Sequence, residues 1–214
     1  MREAILKEIR DALEKGDREA VSRLTKKALD EGLGIKTILN DCLVAAMEAV
    51  GAKFKKSEIF IPEVLISAKA MHAGMAVLEP HFVKAGIKPI GKVVIGTVKG
   101  DLHDIGKNIV SMMLKGACLE IHDIGIDASP EKFIETLKKT RGDILAMSAL
   151  LTTSMGAMRD TINALKDSGL RDKVKVMVGG APVTKDYADQ IGADGYAKDA
   201  AVAVDLAREL LKRS

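Results

Sequence analysis

The amino-acid sequence predicts an α/β protein in which an N-terminal four-helix bundle precedes a doubly wound sheet of five parallel strands. From the N-terminus to about residue 82, apolar residues recur every three or four positions, which is typical of amphipathic helices. Beyond residue 91, short runs of β-branched residues alternate with helical stretches. A segment rich in glycine and proline, 84–91, separates the two patterns. We therefore expect a linker between a bundle over 1–86 and a sheet domain over 91–214.

Four apolar stripes predict the helices of the bundle. The first ends at Gly16, and the second follows Asp17, a residue type that caps helix N-termini. Pro62 stands at the first-turn position that proline tolerates, which places the start of the fourth helix. The stripes consist of Ile5, Ile9 and Leu13; Val21, Leu24 and Ala28; Ile38, Cys42, Leu43, Met47 and Val50; and Val64, Leu65, Ala68, Met71, Met75 and Leu78. Helices with such short connections predict a small bundle.

Five βα units are predicted in the second part of the chain. The strand candidates are 92–97, 119–124, 143–148, 174–178 and a short strand near Gly195–Tyr196, and the helix candidates are 105–115, 130–140, 154–168, 185–191 and 200–212. Alternation of this kind predicts a parallel, Rossmann- or flavodoxin-like sheet that is covered on both faces. Right-handed crossovers bring the carboxyl ends of the strands, and any ligand, to one edge.

Composition argues against several classes of function. The 214 residues are 47% hydrophobic and 29% charged, the balance of a globular protein. Lys and Arg exceed Asp and Glu by three and aromatic residues make up 3%, so we expect no nucleic-acid partner. No apolar run reaches about 18 residues and the N-terminus lacks a signal-peptide core, so we expect no membrane association and a cytoplasmic location. Cys42 and Cys118 lie far apart on apolar stretches, and we expect both to be buried and unreactive.

The loop after the first predicted strand contains the residues best suited to chemistry. It contains neither the GxGxxG pattern of dinucleotide loops nor the Gly-Lys-Ser/Thr ending of a P-loop. It contains His103, with Asp101 two residues before it and Asp104 immediately after it. A neutral imidazole can bind a metal through one nitrogen and donate its other N–H to a carboxylate. His103 is therefore a candidate for metal ligation or acid–base work, with a structural histidine as the alternative.

Other polar residues are expected to have ordinary roles. Lys107 and Asn108 are expected to be exposed on the first turn of the next helix. His72, His81 and His122 are taken as structural or surface residues, on the ground that no carboxylate precedes them at the spacing of Asp101 and His103.

Three motifs in order along the chain resemble the signature of the base-off, His-on cobalamin-binding domain. They are Asp101-x-His103-x-x-Gly106, then Ser148-Ala149-Leu150 after 41 residues, then Gly179-Gly180 after 28 more. This domain occurs in methionine synthase and in the corrinoid proteins of methyl-transfer systems. The segment 54–66, which contains the sequence FIPEVL at 60–65, resembles the helical cap that precedes the domain in free-standing corrinoid proteins. The resemblance therefore covers nearly the whole chain.

The resemblance implies a role for each motif. His103 would be the lower axial ligand of cobalt, Asp101 would hold the far imidazole nitrogen, and Ser154 would extend that relay. The displaced nucleotide tail of the cofactor would enter a slot beside the first strand. The other cofactor-binding residues expected in the sheet domain are Leu102, Asp104, Ile105, Gly106, Ser148, Leu150, Thr152, Gly179, Gly180 and Tyr196, and those expected in the cap are Met71 and Met75.

Each of these residues also has a simpler interpretation. The glycine pair could form a strand-to-helix turn, and Met71 and Met75 could be core residues one helical turn apart. Ser148 and Ser154 could be a turn residue and a helix N-cap.

The function that the resemblance implies is that of a methyl carrier with a corrinoid cofactor. A barrel-type substrate:corrinoid methyltransferase would supply the methyl group, and a corrinoid:acceptor methyltransferase would pass it on, with tetrahydrofolate as the first candidate acceptor. A reductive activase would be a further partner. The chain contains no visible catalytic group for the methyl donor and is too short for an additional (β/α)₈ barrel, so it would be a carrier subunit.

Three alternatives stay open on the sequence. One is a cobalamin-dependent sensory module, although no basic recognition helix is evident. Another is the cobalamin subunit of a carbon-skeleton mutase. The third is a phospho-receiver of the same topology, which is disfavoured because Asp143 lies at the start of the third predicted strand and Ser148 at its end.

Overall fold

The computed structural model describes residues 2–85 and 88–212. The chain divides into two compact units, Met1–Lys88 and Pro89–Ser214. Residues 86–87 of the predicted linker lie outside the described residues.

The first unit is helical. Its helices within residues 2–85 are α1 (Arg2–Glu14), α2 (Arg18–Asp30), α3 (Ile35–Thr37), which continues through a π-helical segment (Ile38–Val44) into α4 (Ala45–Lys55), and α5 (Ile61–Ala85). The predicted stripes are buried almost throughout, with Leu65 and Met75 half-buried. The helical bundle predicted from the apolar period is therefore confirmed.

The turn between α1 and α2 shows how local sequence sets these helix ends. The Asp17 carboxylate accepts a hydrogen bond from Ala20 N at 2.9 Å, as an N-cap does. Gly16 has φ +73°, and a Cβ there would lie 2.5 Å from Ile66 Cγ1. Glycine is therefore required at this position both by the backbone conformation and by the packing of α5.

The third helix differs from the regular α-helix that its stripe predicted. Seven residues, Ile38–Val44, form π-helical turns, in which the backbone hydrogen bond spans one residue more. Arg10 of α1 donates from Nη1 to the Asp41 carbonyl in this segment at 2.9 Å. The apolar spacing does not encode this widening, because it reports which side of a helix is buried and not the width of its turns.

Helix α5 is long and apolar enough over Ile61–Phe82 to cross a membrane by length and composition alone, with a mean hydropathy of 1.3 over its most apolar window. The sequence prediction missed this because charged residues interrupt every apolar run. Val64, Ala68, Met71 and Leu78 are buried, and α5 packs against α1, α2 and α4. The core helix of a helical bundle meets the same criterion.

The second unit is a parallel sheet with helices on both faces. Within residues 88–212 its strands are β1 (Lys92–Thr97), β2 (Glu120–Asp123), β3 (Ile144–Ser148), β4 (Lys175–Gly179) and β5 (Gly195–Ala197), and its helices are α6 (Ile105–Gly116), α7 (Pro130–Thr140), α8 (Gly156–Asp167), α9 (Lys185–Ile191) and α10 (Ala200–Lys212). The strand order is β2-β1-β3-β4-β5, and every pairing is parallel. This confirms the predicted doubly wound, flavodoxin-like fold.

The strand order places a switch point between β1 and β3. The chain leaves β1 towards β2 on one side and returns to β3 on the other, so the loops after β1 and β3 diverge from a shared edge. Thr97 at the end of β1 pairs with Ser148 at the end of β3, and Ser148 pairs with Gly179 at the end of β4. The three predicted motifs therefore lie at the carboxyl ends of neighbouring strands.

Candidate functional site

The loops after β1 and β3 meet at the Asp101 carboxylate. Asp101 is fully buried. Its Oδ1 accepts hydrogen bonds from His103 N at 3.1 Å and from His103 Nδ1 at 2.8 Å. Its Oδ2 accepts from Leu150 N at 2.7 Å, Leu151 N at 3.2 Å and Ser154 Oγ at 2.7 Å. We call this set of contacts the Asp101 network.

The Asp101 network keeps its carboxylate ionised. Burial by itself raises the pKa of Asp101, but the hydrogen bonds from Leu150 N, Ser154 Oγ and His103 outweigh burial and hold the pKa well below its ordinary value. The carboxylate is therefore a fixed negative charge in a site with no direct solvent contact.

The ionised carboxylate determines the tautomer of His103. Because Asp101 Oδ1 can act only as an acceptor, the hydrogen bond to it places a proton on Nδ1 and leaves a lone pair on Nε2. The His103 side chain is 50% exposed, so Nε2 can be reached from outside the unit. A second contact holds the backbone, since Thr97 Oγ1 donates to the His103 carbonyl at 2.8 Å. This arrangement suits an imidazole that binds a metal through Nε2.

Ser154 belongs to this network and is not a helix cap. It is 4% exposed and lies 53 residues from Asp101 in the sequence, yet its hydroxyl is 2.7 Å from Asp101 Oδ2. Helix α8 begins later, at Gly156, and the N-cap position is Met155. The interpretation of Ser154 as an N-cap was therefore wrong. Ser154 thus contacts Asp101, and its part in a relay to a metal ligand stays a prediction.

An apolar rim surrounds this polar centre. Leu102 and Ile105, which flank His103 and Asp104, are 69% and 70% exposed. Leu150 and Leu151 after β3 are 45% and 41% exposed. Exposed aliphatic side chains clustered in this way mark a binding surface more often than a solvent-facing loop. The sequence analysis did not identify Leu151, although its position next to Leu150 at a strand end could have indicated it.

The glycines of the motifs at the carboxyl edge of the sheet differ in what a side chain at their position would meet. A Cβ on Gly106 would meet no atom within 4 Å, so this glycine leaves open space in the first turn of α6. A Cβ on Gly179 would lie 2.8 Å from Ala197 O, and one on Gly180, where φ is +128°, would lie 1.8 Å from Ala149 O. The glycine pair is thus required by contacts of the protein with itself, in addition to any role in cofactor binding.

The other predicted site residues differ in how exposed they are and in where they lie in the fold. Asp104 and Thr152 are exposed in the two loops, and Ser148 is half-buried at the end of β3. Tyr196 packs against the hydrophobic core of the second unit. In the first unit Met71 is buried and Met75 is half-buried. The cofactor contacts of these residues stay predictions.

The expected exposure of Lys107 was wrong, and the ground for setting two histidines aside was mistaken. Lys107 is 3% exposed and Asn108 is half-buried; the Lys107 ammonium contacts Asp123 Oδ2 at 2.5 Å, because the first turn of α6 faces the end of β2. His81 and His122 each have a glutamate two residues before them, Glu79 and Glu120, and His122 Nε2 lies 2.8 Å from Glu120 Oε1. Residues two apart on a strand share a face, which explains the second contact.

The described part of the site offers one candidate metal donor, His103 Nε2. In the part of the chain that the structure describes, no group of three His, Cys, Asp or Glu side chains could hold a metal ion. His103 Nε2 instead offers one nitrogen, in a loop whose neighbouring Leu102 and Ile105 are exposed. Fold and site together are those of a doubly wound α/β module with one exposed imidazole, held by a buried carboxylate, at the carboxyl edge of its sheet.

Comparisons with known proteins specify this class. Residues 91–205 match a family model described as a B12 binding domain, and residues 5–79 match a second model with the same description. The chain belongs to the B12-binding family of corrinoid proteins, and its cofactor is cobalamin or a related corrinoid. The predicted family and cofactor are thereby confirmed.

The similarity extends over whole chains. The protein is 46% identical over 209 residues to dimethylamine corrinoid protein 3 of Methanosarcina acetivorans, covering 98% of each chain. It is 43% identical over 211 residues to a corrinoid protein of Desulfitobacterium hafniense, covering 97% of this chain and 98% of the relative.

Solved structures agree with this. A cobalamin-binding protein from Desulfitobacterium hafniense superimposes with a TM-score of 0.81 at 30% identity, covering 96% of this chain and 98% of that one. A chain of the methanol:cobalamin methyltransferase complex from Methanosarcina barkeri superimposes with a TM-score of 0.87 at 29% identity, covering 99% and 81% respectively.

Proposed function

We propose that this chain carries a methyl group on a corrinoid, which it binds with the cofactor's own base displaced and His103 as the lower ligand. The observation that supports this most directly is the hydrogen bond from His103 Nδ1 to the buried, ionised Asp101. It leaves the Nε2 lone pair of the half-exposed imidazole free, so that His103 would be able to hold a metal through this nitrogen. A bound corrinoid supplies the cobalt that accepts and releases the methyl group.

The residues of the chain would hold and tune this cofactor. The Asp101 network fixes the plane of the imidazole, because both carboxylate oxygens are held by donors from the β3 loop or from His103 itself. Leu102, Ile105 and Leu150 would contact the apolar parts of the macrocycle.

The same proposal includes the partners. We infer that a barrel-type substrate:corrinoid methyltransferase loads the methyl group and that a corrinoid:acceptor methyltransferase removes it, with tetrahydrofolate as the first acceptor to test. One structural relative belongs to a methanol:cobalamin methyltransferase complex, and several sequence relatives are dimethylamine corrinoid proteins. Methylated amines and methanol are therefore the first donors to test. A reductive activase would restore the cofactor after accidental oxidation.

Full-length similarity favours this role over the alternatives. The relatives align over 97% or 98% of this chain and 98% of their own length, so they are free-standing corrinoid proteins of the same size. A sensory protein or a mutase would require a further domain or a different partner. We also propose a cytoplasmic location, since Cys42 and Cys118 are free thiols, as is usual in reducing compartments.

Reconstitution with hydroxocobalamin tests the binding mode. The wild-type protein should retain corrin absorbance after desalting, and its Co(II) form should show nitrogen superhyperfine splitting in the EPR spectrum. His103→Gly should lose that splitting. His122→Gln is the matched control, because His122 also has a carboxylate two residues before it but lies on β2. Absence of retained corrin in the wild type would refute the proposal, and an unchanged spectrum in His103→Gly would refute ligation by His103.

Methyl transfer needs a separate assay. The reduced holoprotein should be methylated by a donor only when the donor's barrel methyltransferase is present, and the methyl group should then reach an acceptor through a second enzyme. Methylation by the donor without any partner would contradict the carrier role, because it would place the donor chemistry on this chain.

A further inference from the structure

A buried lysine in the first turn of α6 is the most unusual charge in the second unit. Lys107 is 3% exposed and is the third residue of α6. Burial of an ammonium is costly unless it is paired, and the positive end of the helix dipole makes a helix N-terminus an unfavourable place for a cation. Both penalties act on Lys107, which indicates that its contacts compensate for them.

The contacts of Lys107 form two links. Its Nζ donates to Asp123 Oδ2 at 2.5 Å, at the end of β2, and to Asn108 Oδ1 at 2.6 Å. Asn108 Nδ2 in turn donates to Asp104 Oδ2 at 3.0 Å. Asp104 is the residue after His103. Lys107 therefore connects the end of β2 to the loop that holds the axial ligand.

The other side of Asp123 returns to the same loop. Asp123 Oδ1 accepts from Gly125 N at 2.9 Å, and Gly125 O accepts from Thr97 N at 2.9 Å. Thr97 Oγ1 then donates to the His103 carbonyl at 2.8 Å. The hydrogen bonds thus close a ring through His103, which we call the Lys107 ring; its members are Thr97, His103, Asp104, Lys107, Asn108, Asp123 and Gly125.

The Lys107 ring and the Asp101 network hold different parts of His103. The Asp101 network holds the imidazole and the His103 amide. The ring holds the His103 carbonyl and the following residue. We infer that Lys107 is a positioning residue, which fixes the backbone of the His103 loop so that Nε2 is presented to cobalt in one place.

This inference rests on the proposed His103 ligation and deepens it. Lys107 acts through Asn108, Asp104 and Asp123 and is assigned no contact with the cofactor. The loss of an outer partner of a metal ligand typically weakens metal binding by about 10-fold to 100-fold. We expect Lys107→Met to weaken corrinoid binding by about 10-fold and to reduce the fraction of Co(II) that shows imidazole superhyperfine splitting.

The variant is expected to fold, because methionine fills much of the space of the lysine stem, and the Asp123 carboxylate, about one-third exposed, can be solvated once the ammonium is gone. Asp123→Asn is a second test, since the amide keeps an oxygen that can accept from Lys107 but removes the charge that compensates its buried ammonium. Lys115→Met is the matched control, because Lys115 is an exposed lysine on the same helix.

The experiment measures corrinoid affinity and the EPR spectrum of the holoprotein, together with hydrogen exchange of 97–108 in the protein without cofactor. Faster exchange in Lys107→Met, with weaker corrinoid binding and loss of splitting, and no change in Lys115→Met, supports the inference. The double variant Lys107→Met/Asp123→Asn should bind corrinoid no more weakly than the single variant with the lower affinity, because the two residues act as one link.

Two outcomes separate this inference from the proposed function. If the wild type shows superhyperfine splitting that His103→Gly abolishes, but Lys107→Met and Asp123→Asn match the wild type in affinity, spectrum and exchange, the inference is overturned and His103 ligation stands. If the wild type itself shows no imidazole splitting, His103 ligation fails. In that case unchanged exchange in Lys107→Met overturns the positioning role as well.

Discussion

Substitution of Asp101 by asparagine tests the central contact of the site. The two side chains have the same shape, so the change removes the charge and replaces one acceptor oxygen by a donor group. In the protein both carboxylate oxygens face donors: His103 on one side, and Leu150 N, Leu151 N and Ser154 Oγ on the other. An amide in either orientation therefore places an NH₂ group against at least one donor.

The two orientations of the amide should disrupt the site in different ways. If the amide oxygen faces His103, the buried N–H groups of Leu150 and Leu151 lose their acceptor, which costs about 1–3 kcal/mol for each unsatisfied group. If the NH₂ group faces His103, Nδ1 must become the acceptor and the proton moves to Nε2. In that tautomer Nε2 carries the proton and has no free lone pair with which to bind a metal. We expect a loss of about 2–4 kcal/mol in the free energy of unfolding and about 10-fold to 100-fold weaker corrinoid binding.

The pH dependence has a defined sign. The pKa of Asp101 is lower in the folded chain than in the unfolded chain, so its ionised form stabilises the fold at pH values above about 4. That stabilisation is lost as the pH falls towards the folded-state pKa. The difference in stability between the wild type and Asp101→Asn should therefore be constant near neutrality and should shrink below about pH 4.

Urea denaturation at several pH values and titration with hydroxocobalamin measure these effects. Asp160→Asn, at an exposed position of α8, is the control for the general effect of losing a carboxylate. The reasoning is refuted if Asp101→Asn keeps the stability of the wild type at pH 7, or if it binds corrinoid with unchanged affinity and an unchanged EPR spectrum.

Further predictions concern two glycines and a serine. Gly180→Ala should lower the free energy of unfolding by more than about 1 kcal/mol, because the new Cβ would collide with Ala149 O and φ is +128°; urea denaturation without cofactor measures this, and equal stability would contradict it. Gly106→Ala should stabilise the protein without cofactor by about 0.5–1 kcal/mol, since its Cβ meets no atom in a helix, and should weaken corrinoid binding in the same titration. Unchanged or stronger binding would show that the space at Gly106 is not needed for the cofactor. Ser154→Ala removes one hydrogen bond to Asp101 and should cost about 1 kcal/mol in stability, with Ser168→Ala, at the opposite end of α8, as a control; a loss as large as that of Asp101→Asn would indicate a different role.

Local patterns in the sequence predicted most of the fold. The helices of the bundle follow from an apolar period of three to four, and the strands follow from β-branched runs between turn residues. Strand β1 and helices α7, α9 and α10 have the bounds that the pattern predicted. The π-helical segment could not be predicted in this way, because apolar spacing reports which side of a helix is buried and does not report the width of its turns.

Part of the candidate site could also be predicted, because some of its contacts join residues that are close in the sequence. Asp101 and His103 are two residues apart, so their contact is visible as a spacing in the sequence. The burial of Lys107 is not visible, because a lysine in a first helical turn is usually solvated and its partner Asp123 lies 16 residues away, across the β2 strand. The contact of His122 with Glu120 was visible at a spacing of two residues and was nevertheless missed.

The sequence by itself determined the class of fold, the family and the identity of the candidate axial ligand, because these depend on residue types at short or fixed spacings. Only the tertiary structure decided what holds that ligand in place. Parallel pairing of β1 with β3 brings Leu150, Leu151 and Ser154 onto the carboxylate of Asp101 from about 50 residues away. Pairing of β1 with β2 places Asp123 against Lys107. Burial then makes these contacts strong, since hydrogen bonds to a carboxylate without solvent contact hold it ionised and leave the His103 lone pair facing outward.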